Sequence, residues 1–180
     1  MDQNSKKIIP KVFILDVDGV LNTGQFYYTI DGKFMKVFGP DDYDALFLLK
    51  PYLEIRFVTG DKRGFEVNKK RVTDDMNFPL DLVSTIKRVE WITQKYNPEE
   101  VIYMGDGIFD HYVFRKVGYS IATANSDPLA KKFANFITER NGGERAVAEA
   151  CLHVLERFFI PYNPDALPNS QIKVSGEWII

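Results

Sequence analysis

The sequence predicts an α/β fold built on a doubly wound parallel sheet, with a β-hairpin inserted after the first strand. Three observations carry this reading. The runs Val12-Phe13-Ile14-Leu15 and Val101-Ile102-Tyr103-Met104 are apolar without alternation, and Ile55-Arg56-Phe57-Val58 is nearly so. Strands of that kind are buried on both faces, as at the centre of a parallel sheet. Segments of helical periodicity alternate with the strands across short connections, the pattern of βα units. Finally, each of the three runs stops abruptly, at Asp16-Val17-Asp18-Gly19, at Thr59-Gly60 and at Gly105-Asp106-Gly107. Ligands of such Rossmann-like sheets bind outside the carboxyl ends of the strands.

In chain order, strands are expected at residues 12–17, 54–58, 80–83, 100–104, 119–122 and 135–138. Helices are expected at 42–49, 63–76, 84–96, 110–117 and 128–133, and a long terminal one at 144–159. Two pieces fall outside the alternation. The β-rich segments 25–30 and 33–38 flank Asp31-Gly32, a strong two-residue hairpin signal, giving an insert at 24–38 that projects near the strand ends. A tail at 160–180 carries Pro161, Pro164 and Pro168, which stop the helix. Its end, residues 171–180, reads as extended, and Trp178, Ile179 and Ile180 are too apolar to sit comfortably in water.

A chain of 180 residues, 45% hydrophobic and 27% charged, has the size and composition of a single globular domain, residues 1–180. Its net charge of −2 leaves no basic footprint, which argues against nucleic acid. No apolar run approaches a membrane span and residues 1–11 lack a signal-peptide core, so a cytoplasmic location is expected. The single cysteine, Cys151, excludes an intramolecular disulfide framework and lies on an apolar helical stripe, so it reads as core. His111 and His153 have no ligand-spaced partners and read as surface or structural residues. The stretch 68–75 reads as the solvated side of a helix.

The strand ends are where chemistry is expected. Asp16 and Asp18, two residues apart with no basic neighbours, repel each other, and a hard divalent cation such as Mg2+ compensates them. Taken alone the segment is equally an Asp-rich turn after a core strand. A second strand ends in the same way at Asp106, with Asp110 following, and a third ends in the hydroxyl of Thr59. Acid, hydroxyl and acid at three strand ends make one site.

Asp16-Val17-Asp18-Gly19, Thr59-Gly60 and Gly105-Asp106-Gly107-Ile108-Phe109-Asp110 resemble the motifs of the haloacid-dehalogenase-like phosphatases. The hairpin directly after the first motif, and Asn141-Gly142-Gly143-Glu144-Arg145-Ala146-Val147, resemble the capless branch of that family over residues 10–159. This branch holds the 3-deoxy-octulosonate 8-phosphate and nonulosonate 9-phosphate phosphatases and the phosphatase-like half of some sialic-acid cytidylyltransferases.

The resemblance implies roles. Asp16 is the nucleophile, and Asp18 is the general acid and base. Mg2+ is held by Asp16, Asp106 and the Asp18 backbone carbonyl, with Asp110 behind them. Thr59 and Gly60 bind the phosphoryl oxygens. The family lysine falls on Lys87, in a first helical turn capped by Ser84, with Arg88 as the alternative. Asn22 and Arg145 join Gly60 as substrate-facing residues. Asp110 reads equally as a helix N-cap. The implied substrate is a small phosphorylated sugar or sugar acid, and the alternative is a catalytically weak scaffold of the same fold.

Three departures weaken the assignment of octulosonate itself. Asp61 stands where the branch has a basic residue, Asp41 where it has an arginine, and Glu144-Arg145 where it has Arg-Gly. The apolar hairpin residues Phe26, Tyr27, Tyr28, Ile30, Phe34, Met35, Val37 and Phe38 cannot all be buried on one sheet, so a homo-oligomer is expected. Resemblance makes it a homotetramer with hairpins around a symmetry axis and each rim completed by a neighbour.

Overall fold

The computed structural model describes residues 8–166. The extended segment expected at 171–180 lies outside them. In chain order the elements are β1 (Val12–Asp16), the hairpin strands β2 (Asn22–Thr29) and β3 (Gly32–Phe38), α1 (Asp42–Leu49) and β4 (Glu54–Thr59). They continue with α2 (Phe65–Lys69), β5 (Leu80–Leu82), α3 (Arg88–Lys95), β6 (Val101–Gly105) and α4 (Asp110–Phe114). The last are β7 (Tyr119–Ala122), α5 (Pro128–Phe133), β8 (Phe136–Ile137) and α6 (Ala146–Phe158).

Six strands form one parallel sheet in the order β5-β4-β1-β6-β7-β8. From β1 the chain builds outward through β4 to β5, then returns to the other side of β1 with β6. The order reverses between β1 and β6, and a crevice opens at their carboxyl ends. Because side chains alternate along a strand, β1 serves two cores. Phe13 and Leu15 pack with Leu46 and Leu49 of α1 and with Ala150 and Val154 of α6. Val12 and Ile14 pack with Ile92 of α3, Val113 and Phe114 of α4 and Ala130 of α5. The doubly wound α/β expectation therefore holds, and Cys151 lies buried in the first core.

Several boundaries differ from expectation for local reasons. β1 ends at Asp16 because Val17 already enters a wide turn, closed by the Asn22 N–H bonding back to the Val17 carbonyl. The helix expected at 63–76 narrows to α2, and residues 70–75 continue in wider turns in which the Met76 N–H reaches the Arg71 carbonyl. The helix expected from Ser84 begins with a tighter 3₁₀ turn, Thr85–Lys87, and Ser84 makes no side-chain cap. True α-helix starts only at Arg88.

The hairpin loop is Ile30-Asp31, with Thr29 paired to Gly32 rather than Asp31-Gly32 forming the turn. Phe26 pairs with Lys36 and Tyr27 with Met35, but Tyr28 pairs with Lys33. One residue of β3, Phe34, is thus bulged out. Lys33 and Lys36, three apart, would face opposite ways in a regular strand. The bulge turns both to the face that carries Phe26 and Tyr28.

A buried carboxylate joins two helices on the first core's side. Asp42 at the start of α1 accepts the Ala148 N–H at 2.9 Å, in the first turn of α6. Its other oxygen has no hydrogen-bond partner among the described residues. Burial, opposed by the Ala148 bond and reinforced by Asp41, pushes its pKa up to about 7. Between an unfolded value of 3.8 and that of about 7, the folded protein holds the extra proton, so stability falls as pH rises through this window. Asp42→Asn removes the penalty while keeping an acceptor for Ala148. We expect it to be stabilised by about 2 kcal/mol at pH 8, with the gain vanishing near pH 4, as thermal melts across that range will report.

Candidate active site

The end of β1 delivers Asp16 to the crevice, and α3 delivers Arg88 to meet it. Arg88 Nη1 bonds Asp16 Oδ2 at 2.5 Å, and Nη2 bonds Oδ1 at 3.0 Å. This two-pronged pairing suits the planar guanidinium. Arg88 is 1% exposed, and Nη1 also reaches Tyr103 Oη at 2.6 Å and Asp110 Oδ1 at 3.2 Å. Burial opposes its charge, but Asp16, Tyr103 and Asp110 outweigh that and hold it firmly protonated. Burial raises Asp16 to about 6 despite Arg88, and the nearby Asp110 adds to the rise.

From β6 the chain turns through Asp106 into α4. Asp110 Oδ2 accepts the N–H groups of Asp106 at 3.0 Å and Gly107 at 2.8 Å, and its Oδ1 accepts the Tyr103 hydroxyl at 2.8 Å. Asp110 therefore moulds the loop that carries Asp106. The Asp106 carboxylate itself receives no hydrogen bond among the described residues. Burial first, then Asp16 and Asp110, push its pKa up to about 8. Gly19, at φ +88°, lets it approach, since a Cβ there would collide with the Asp106 carboxylate. Carboxylate oxygens of Asp16, Asp106 and Asp110 lie within 4.8 Å of one another, close enough for one ion. An acid with no donor, whose charge is disfavoured by two like neighbours, is where a divalent cation gives most relief.

Asp18 points elsewhere. Its Oδ1 accepts Lys36 Nζ at 2.5 Å and Asn22 Nδ2 at 2.8 Å, and its Oδ2 accepts Thr59 Oγ1 and Asn68 Nδ2, each at 3.1 Å. Burial pushes its pKa up, but the Asn22, Lys36 and Asn68 bonds outweigh it and hold it below the usual value. Lys36, with only 1% of its side chain exposed, also bonds Asp61 Oδ2 at 2.8 Å and Asn68 Oδ1 at 3.0 Å. Lys33 bonds the same Asp61 oxygen at 2.6 Å. Asp18, Asp61, Lys33 and the acid cluster border a cavity of about 320 Å³, whose wall also includes Gly60, Phe26, Ser84, Thr85, Ile108 and Phe109.

Residues 84–151 match the family model of haloacid dehalogenase-like hydrolases. The chain is 31% identical to the 3-deoxy-D-manno-octulosonate 8-phosphate phosphatase of Salmonella typhi, over 78% of this chain and 77% of that one. The chain belongs to the haloacid dehalogenase-like hydrolases. The crystal structure of the corresponding Yersinia pestis phosphatase superposes with a TM-score of 0.67 at 28% identity, covering 82% of this chain and 81% of that one. That of the Moraxella catarrhalis enzyme, in complex with magnesium, phosphate and its sugar acid, shares the fold with a TM-score of 0.69 at 24% identity, covering 82% of this chain and 86% of that one.

Within this hydrolase fold, Asp16, Gly60, Asp106 and Asp110 meet at one cavity as expected from sequence. Other expectations need correction. Lys87 is exposed on the 3₁₀ turn, and Arg88 occupies the place facing Asp16, because the turn advances the buried face of α3 by one residue. Asp110 is the first residue of α4 rather than its cap. The Asp18 carboxylate stands apart from the acid cluster, and only the Asp18 backbone carbonyl was expected at the metal. Asn22 is fully buried, accepting the Gly19 and Gly24 N–H groups and donating to Asp18, so it shapes the turn instead of meeting substrate. Thr59 is fully buried too, its hydroxyl engaged by Asp18, Asn68 and the Asp61 N–H. Arg145 pairs with Asp41 at 2.6 Å and does not line the cavity. Asn68 is buried and belongs to the site, not to a solvated helix face.

Lys33, Lys36, Asn68 and Tyr103 were not legible as site residues. Lys36 sits in an alternating hairpin strand where lysine normally means solvent, and Tyr103 sits inside an apolar run. His111 Nδ1 lies 2.9 Å from the Ile108 carbonyl and His153 Nε2 lies 2.8 Å from Tyr119 Oη, both structural placements.

The geometry separates two adjacent cations. Lys87→Ala should change turnover less than about twofold, as an exposed substitution away from the site. Arg88→Lys keeps a charge but loses the fork, and should cost about a hundredfold or more in kcat. Steady-state kinetics with melts on both variants will check this, and equal losses would reverse the assignment.

Proposed function

We propose that this protein is a Mg2+-dependent phosphomonoester hydrolase acting through a phosphorylated Asp16 on a phosphorylated sugar or sugar acid. The observation that carries the reading is the convergence of Asp16, Arg88 and the undonated Asp106 at the β1–β6 crevice, two residues from Asp18. Family membership and the phosphatases among its relatives support it.

Asp16 and Asp106 would hold the ion, with Asp110 behind them. Asp110 is the weaker ligand because donors already occupy both of its oxygens. The ion supplies charge neutralisation for the phosphoryl oxygens. In the first half-reaction an Asp16 oxygen attacks phosphorus and the ester P–O bond breaks. Arg88 neutralises the approach of one anion to another. The leaving alkoxide takes a proton from Asp18, which must first turn out of its network with Lys36, Thr59 and Asn68. In the second half, Asp18 as carboxylate accepts a proton from water, and the resulting hydroxide attacks phosphorus. Asp16 and inorganic phosphate are released. The surrounding donors favour the ionised Asp18 that this half needs. Asp16→Asn should abolish hydrolysis of p-nitrophenyl phosphate while the melt stays near wild type, and excess EDTA should do the same reversibly. Near-normal rates in either case would refute the covalent, metal-assisted route and leave a binding scaffold as the better reading.

The hairpin supports a second part of the proposal, a homotetramer. Tyr27, Ile30, Phe34 and Met35 are exposed, Ile30 completely. Phe26, exposed as well, also lines this subunit's own cavity, so the chain's own hairpin supplies part of the rim. Tyr27→Asp with Phe34→Lys should dissociate the assembly in sedimentation velocity. A monomeric wild type at working concentration would end the idea.

A further inference from the structure

We propose that the group released by this enzyme is an uncharged polyol rather than a sugar acid, with Lys33 and Asp61 as its specificity-determining pair. This rests on the phosphatase reading and narrows it. Two cations line the cavity, and both already face carboxylates. Arg88 is engaged by Asp16 and Asp110, and Lys33 by Asp61 at 2.6 Å. Behind Lys33, Lys36 is shared between Asp18 and Asp61. Away from the acid cluster two lysines, Lys33 on the wall and Lys36 behind it, thus balance the aspartates Asp18 and Asp61. Lys62, Arg63 and Lys87 are exposed and Arg145 is held by Asp41, and none of the four lines the cavity.

A carboxylate on the substrate would find no unpaired cation among the described residues that line the cavity, and it would meet the repulsion of Asp61. Taking Lys33 for itself would strip Asp61 of one partner in a largely enclosed place, where an uncompensated charge is costly. A hydroxyl fits the same pair without breaking it, donating to the Asp61 carboxylate while accepting from the Lys33 ammonium. The remaining wall carries the hydroxyl residues Ser84 and Thr85 and an apolar face. Phe26 holds Lys33 Nζ 4.1 Å from its ring centroid, and Ile108 and Phe109 complete a surface for the C–H face of a sugar. The discrimination is of the kind that comes from withholding a partner from the wrong ligand.

The test uses the full chain, as purified, with Mg2+. Steady-state rates are compared on a hexitol phosphate, the hexonate phosphate of the same length, and p-nitrophenyl phosphate. We expect kcat/KM for the hexitol phosphate to exceed that for the hexonate phosphate by about tenfold or more. Asp61→Asn, which frees Lys33, should shift the ratio toward the hexonate by about tenfold. Lys33→Met should raise KM for the hexitol phosphate more than it lowers kcat. Preference of the wild type for the hexonate, or a ratio that Asp61→Asn leaves unmoved, overturns the proposal while p-nitrophenyl phosphate turnover keeps the phosphatase reading standing. Failure to hydrolyse p-nitrophenyl phosphate removes that reading, and this proposal with it. The wild-type comparison decides the matter should Asp61→Asn fail to fold.

Discussion

Repulsion among buried carboxylates at the carboxyl ends of β1 and β6 is the constraint around which this structure is organised. Asp16, Asp106 and Asp110 lie close enough to share one ion, in a crevice where burial already disfavours their charge. Each is accommodated differently. Asp16 receives the Arg88 fork, Asp110 receives two backbone N–H groups and a tyrosine hydroxyl, and the Asp106 carboxylate receives no donor among the described residues. That inequality is what makes the cluster chemically useful. One acid is neutralised and aimed, one is structural, and one is left demanding a cation.

The same economy governs the hairpin. A single bulged residue, Phe34, brings Lys33 and Lys36 onto one face. Both then reach Asp61, which ties the insert to the loop after β4 by ion pairs. Lys36 goes further and bonds Asp18 directly, so the position of the hairpin and the position of the Asp18 carboxylate are not independent. Half-buried pairs of this kind contribute little net stability beside an apolar alternative. Their value lies in fixing where the Asp18 and Asp61 carboxylates stand on the cavity wall. The hairpin's opposite face, with Tyr27 and Met35, remains exposed.

The sequence by itself determined the sheet, the position of the site and the acids at its centre. Apolar runs such as residues 12–15 and 101–104 are buried on both faces because their composition leaves no other arrangement, and whatever ends them falls at the sheet's carboxyl edge. Asp16 and Asp106 were readable for that reason. Tertiary structure alone decided the rest. Whether Lys87 or Arg88 meets Asp16 depends on a tight 3₁₀ turn before α3, and local composition does not register a one-residue advance. Thr59 and Asn22 carry the residue types of a phosphate site, yet the Thr59 hydroxyl is consumed by Asp18, 41 positions away, and by Asn68, and the Asn22 amide by the groups of its own turn. Lys36 became a buried partner of Asp18 only through a bulge, since alternation in a strand predicts side-chain direction only while register is unbroken. Burial of apolar surface is additive along a segment and so is written locally, whereas the partner of a polar atom is chosen by the meeting of segments.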